Sequence, residues 1–175
     1  MAILPDRRGL NKMKVSILFL AALTLSACAT SNSTDPDSMH FDIPRGSTLS
    51  LNKDLAISEG NTHAFIQSGE LTTESSRNNY DINCRLNFRE FGPRTIEPED
   101  FIVTRTEDGW VWISQPSIKR FFTEVHLRSN KGTDVIKMVC QQWGGSTDRN
   151  FTVAEMEQAF GDFLTFKFAT DKPAK

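Results

Sequence analysis

The sequence predicts a mainly β fold, an antiparallel β-sandwich or small barrel with one short helix at about 153–160. Three observations carry that reading. Apolar and polar residues alternate over Tyr80–Phe88, the period-two pattern of a half-buried strand. Other short alternating segments recur between turn residues, as in antiparallel all-β domains. A capping-box motif precedes the single run at helical spacing.

In chain order, Thr48–Leu51, Thr62–Gln67 and Glu70–Thr73 read as the first strands. In the next, Tyr80, Ile82, Cys84, Leu86 and Phe88 share one face, while Asp81, Asn83, Arg85, Asn87 and Arg89 share the other. Phe101–Thr106 and Trp110–Ser114 flank Asp108-Gly109, a dipeptide that favours a hairpin turn with positive φ. Phe121–Arg128 and Asp134–Gln142 are separated by the turn signal Asn130-Lys131-Gly132. Thr152-Val-Ala-Glu155 then has the form in which the Thr hydroxyl and the Glu carboxylate each accept from the other's backbone N–H. Val153, Met156, Ala159 and Phe160 follow at helical spacing and Gly161 offers a stop. Leu164, Phe166 and Phe168 alternate in a last strand.

The chain has 175 residues and formal charge −2. Residues 1–27 hold Arg7, Arg8, Lys12 and Lys14 against Asp6, so the remainder carries −5. A mildly acidic domain does not fit nucleic-acid binding through phosphates. Twelve of the 13 Phe and all 3 Trp lie beyond residue 27, enough apolar surface for one folded domain.

The N-terminal segment is a targeting signal. Cationic residues precede Val15–Leu25, an uncharged run of 11 residues; crossing a bilayer takes about 20. Leu25-Ser26-Ala27-Cys28 follows at once. This tetrad resembles the lipobox of bacterial lipoprotein precursors. The resemblance implies cleavage before Cys28, lipidation of its thiol, and attachment to the periplasmic face of a membrane. Ala29, in place of Asp at the second mature position, implies the outer rather than the inner membrane. Met13-Lys14 is an alternative start to Met1. Residues 28–46 read as a lipidated Cys and a flexible polar tether, 47–169 as one β-rich domain, and 170–175 as a polar tail. A flexible tether of that length spans about 25 Å.

With Cys28 lipidated, Cys84 and Cys140 remain as an even pair. Both fall on apolar faces of predicted strands, which suits a disulfide across the core of an exported domain; two buried reduced thiols are the alternative. Such a bridge would contribute on the order of 4 kcal/mol.

No assembled chemistry is visible. His40, His63 and His126 stand at no metal-ligand spacing from one another or from Cys, so neither a metal nor a cofactor is expected. Glu97, Glu99 and Asp100 cluster around Pro98 and read as a solvated turn. Trp143-Gly144-Gly145-Ser146 lacks the nucleophile-elbow pattern and reads as a loop. Trp110 and Trp112 are expected in the core, and Trp143 either in the core or on a binding surface. That surface would comprise Trp143, Arg85, Arg89, Lys119 and Arg120, aromatic and cationic groups of the kind found at protein interfaces. Tyr80-x-x-x-Cys84 with Arg94-Thr-Ile-x-Pro98-x-x-Phe101 also resembles a group of small uncharacterised proteobacterial lipoproteins. That resemblance implies a shared fold and compartment and no catalytic residue.

The expected function is a lipid-anchored, outer-membrane periplasmic module that binds an envelope protein or assists envelope assembly, without catalysis. Two alternatives stand beside it. One is an envelope hydrolase in which His126 converges with Asp134 or Ser146; the other is a structural link to peptidoglycan.

Overall fold

The computed structural model describes residues 33–169. The signal segment, Cys28, the start of the tether and the 170–175 tail lie outside them. The elements are β1 (Thr48–Leu51), β2 (Leu55–Ile57), β3 (His63–Gln67), β4 (Glu70–Thr72), β5 (Asn83–Phe88), β6 (Arg94–Ile96), β7 (Glu99–Ser114), β8 (Ile118–Ser129), β9 (Val135–Gly145), α1 (Val153–Phe160) and β10 (Leu164–Lys167). Eight strands form one antiparallel sheet in the order β10-β1-β7-β8-β9-β5-β3-β4, curled into a half-barrel. β2 and β6 pair as a separate ribbon. One curled sheet replaces the two packed sheets of a sandwich.

The alternation in the sequence explains the curl. Val103 faces Leu127, Val125 faces Met138, and Met138 faces Leu86, so neighbouring strands line the hollow with apolar side chains. Each of these is at most 6% exposed, and burying one such side chain contributes about 1.5–3 kcal/mol. α1 fills the hollow with Val153, Met156, Ala159 and Phe160 and contacts β3, β5 and β10. Its capping box forms as expected: Glu155 N–H donates to Thr152 Oγ1 at 3.2 Å and Thr152 N–H to the Glu155 carboxylate at 2.7 Å. Ser68 and Gly69, at φ 53° and 75°, make the tight β3–β4 turn, and Gly69 N–H caps the helix end at the Ala159 carbonyl. A Cβ on Gly161 would stand 2.8 Å from Gly69 Cα, so only glycine permits that approach.

Cys84 and Cys140 are disulfide-bonded. The bridge does not cross the core between layers: the two residues face each other on adjacent strands β5 and β9, and it staples neighbours of one ladder.

Several boundaries differ from expectation. Asp108-Gly109 makes no turn. It lies within β7, opposite Thr123 and Phe122, because the Phe122 ring occupies the space over Gly109, where a Cβ would sit 2.6 Å away. Trp143-Gly144-Gly145 continues β9 rather than forming a loop, with Phe121 and Asp148 over Gly144. Tyr80 leaves the strand face and is exposed, since β5 begins only at Asn83. Glu99 is buried inside β7, accepting from the Ser129 hydroxyl at 2.7 Å, rather than in a solvated turn. The folded body also starts before Ser47. Ile43 is 4% exposed in the core and Phe41 meets the Phe168 ring edge-on at 4.9 Å.

Candidate functional site

Among the described residues, the convex face of the sheet carries a cluster of charged and aromatic side chains. The register sets out one row from Phe65 to Arg85, Val139, Glu124 and Glu107, and a second from Asn83 to Gln141, Phe122 and Gly109. A third places Trp143 beside Arg120 and Val111. Sheet pairing alone thus puts Arg85, Arg120, Phe122 and Trp143 on one surface.

Arg77 joins them from the loop after β4. Its guanidinium lies 4.5 Å over the Phe65 ring, which Arg85 also approaches at 5.9 Å, and its Nη1 donates to Asn83 Oδ1 at 3.2 Å. Arg120 lies 5.6 Å over Phe122. Burial lowers the guanidinium pKa of Arg85, and the charges of Arg77 and Arg120 lower it further. Burial likewise lowers that of Arg77; Glu74 opposes the shift and Arg120 adds to it. Among the described residues, the only ion pair these three arginines make is that of Arg77 with Glu74, at 3.5 Å. The Nε of Arg77, Arg85 and Arg120 is buried without a hydrogen-bond partner among the described residues. Orphaned donors of this kind are costly within a fold.

Tyr80 and Trp143 border the cluster, edge to face at 5.8 Å. Their positions are fixed from the backbone: Trp143 N–H donates to the Asn79 carbonyl and the Gln142 side chain to the Tyr80 carbonyl. On the opposite flank an open groove is lined by His63, Phe65, Thr73 and Glu74. Burial and then the Arg85 charge lower the His63 pKa.

The fold therefore unites three of the five surface residues expected from sequence: Arg85, Arg120 and Trp143. Lys119 faces the other side of its hairpin, 4.4 Å over Trp110 and 5.0 Å over Trp112. Arg89 sits at the far end of β5, where its N–H donates to Asp134. Trp110, expected in the core, is 50% exposed, and Trp112 is half-buried. Arg77 and Phe65 were not expected. Nothing local marks Arg77, which sits in a polar loop; its partner ring is on another strand.

On this same face, Glu107, Glu124 and His126 bring three potential ligand atoms within 4.8 Å of one another. Their chemistry is already committed. Lys137 pairs with Glu124 at 2.5 Å, and Arg105 pairs with Glu107 at 2.9 Å and donates to His126 Nε2 at 3.0 Å. The cross-strand Glu107–Glu124 juxtaposition would repel, and these two cations offset it.

The hydrolase residues do not converge. Asp134 accepts from both Nη atoms of Arg94 at 2.8 Å and from the backbone of Arg89 and Glu90. His126 is on the convex face, and the Ser146 carbonyl is held by Lys119, seven positions before His126 on β8, a separation of about 23 Å along a strand. Comparison with protein-family models, curated proteins and solved structures returned no match.

Proposed function

We propose that this chain is a lipid-anchored domain of the bacterial envelope, held through Cys28 at the periplasmic face of the outer membrane. There it binds an acidic partner protein through its convex face and catalyses no reaction. One observation carries the binding: Arg77, Arg85 and Arg120 lie over the Phe65 and Phe122 rings on one surface, close enough to repel one another, with Glu74 the one carboxylate paired to them among the described residues. Partner carboxylates would offset the mutual repulsion of the three guanidinium groups, and Arg beside Tyr and Trp is the composition of binding hot spots. The anchor rests on the lipobox and on the even thiol pair left once Cys28 is set aside.

A photo-crosslinking residue in place of Phe122, in cells making the full-length chain, tests the binding. A discrete adduct with an acidic envelope protein is expected, lost when Arg85→Gln and Arg120→Gln are combined. Absence of any adduct, or one indifferent to both arginines, contradicts the reading. Cys28→Ala tests the anchor: the precursor should accumulate uncleaved and unlabelled by lipid.

A further inference from the structure

The longest hairpin of the sheet ends in apolar side chains that the fold does not use. β1 pairs with β7 over Glu99–Ile102, and Gly46 and Ser47 bond Val103; beyond that β7 runs on as an edge, joined to β8 by a turn closed by Ser117 N–H on the Ser114 carbonyl. On this projection Trp110 is 50%, Val111 39% and Ile113 43% exposed. Trp110 and Trp112 meet edge to face at 5.6 Å, with the Lys119 ammonium over both rings. From Gly109 to Thr123 the only charged residues are Lys119 and Arg120, both cationic.

The first described residues pack against the base of this projection. Met39, itself 50% exposed, lines a cleft with Asp108 and Thr123, two positions from Trp110 and Phe121 along their strands. Ser33 N–H donates to the carbonyl of His40, the next residue. Five residue steps separate Ser33 from Cys28, at most about 18 Å of chain. A lipid on Cys28 therefore keeps the Ser33 end of the domain, and the hairpin beside it, close to the bilayer.

We infer that the tip of the β7–β8 hairpin, Trp110 to Lys119, rests in the headgroup region of the membrane that holds the anchor. The inference builds on the lipidated Cys28 proposed above. Trp and Lys are the side chains that settle at this depth, with the ring at the apolar boundary and the ammonium among anionic headgroups. The open edge of β7 limits the depth, because its free N–H and C=O groups need water or headgroup oxygens and are excluded from hydrocarbon. The lipid and the hairpin are then two membrane contacts of one domain.

The test uses the full-length chain with Trp143→Phe, leaving Trp110 and Trp112 as the emitters. It is reconstituted in vesicles of phosphatidylethanolamine with phosphatidylglycerol, with and without bromine on the acyl chains near the headgroup. Blue-shifted emission that loses most of its intensity in brominated vesicles is expected. Acylated Cys28, read by mass on the same sample, together with unshifted and unquenched emission overturns the hairpin contact and leaves the anchor standing. A free Cys28 thiol overturns the anchor reading. The same vesicles still decide the hairpin in that case, where quenching sustains the contact and its absence removes it.

Discussion

The two faces of the one sheet are built from the same strands and obey opposite rules. In the hollow, Leu86, Val125 and Met138 are fully buried in one apolar cluster with the inward side chains of α1. On the convex face, Arg85 and Arg120 neighbour those strand positions, yet their Nε atoms find no partner. The hollow accounts for the existence of the fold. The convex face retains three cations that repel one another, an arrangement that stability alone would not favour, and it is there that function belongs.

Substitutions that separate the faces test this division. The largest effect is expected in the hollow: Leu86→Ala should cost about 3–4 kcal/mol in urea unfolding. Replacing both Cys84 and Cys140 by Ala should cost about 2–4 kcal/mol; a much smaller loss would show that the β5–β9 ladder holds without its staple. Asp134 comes next, tying the loop before β9 to Arg94 of β6. Burial opposes its ionisation, but Arg94 and the N–H groups of Glu90 and Arg89 outweigh it and lower the carboxyl pKa to about 2. A folded-state pKa below the unfolded value gives stability that is present above the unfolded value of 3.8 and lost as pH falls toward 2. Asp134→Asn should therefore cost about 2 kcal/mol at neutral pH and progressively less below pH 4. Thr152→Ala removes one arm of the α1 cap and should cost about 1 kcal/mol. On the convex face, Arg120→Gln should change stability by less than about 0.5 kcal/mol, or raise it.

The hollow was more legible in the sequence than the convex face, for a physical reason. Burial imposes a period, so Cys84, Leu86 and Phe88 disclosed β5, and Val153, Met156, Ala159 and Phe160 disclosed α1. The cysteine count marked Cys84 and Cys140 as a pair, although their direct cross-strand opposition depends on register. Glycine misled twice. Gly109 and Gly144 answer to Phe122, Phe121 and Asp148, side chains distant in sequence, and a local turn rule does not register them. The arginine site depends on register across β5, β9 and β8 and on a loop that returns to Phe65. Its members stand at positions 77, 85 and 120 with no common spacing. The short ribbon of β2 and β6 escaped notice because three-residue strands leave no measurable alternation.

The most direct test of the division pairs two readings on one variant, the full-length chain carrying Arg85→Gln and Arg120→Gln. Its thermal midpoint and its crosslinking from position 122 are compared with those of the unaltered chain. An unchanged or raised midpoint with the adduct lost is the predicted result. A lowered midpoint with the adduct retained would show that the arginines serve the fold, and would contradict the account.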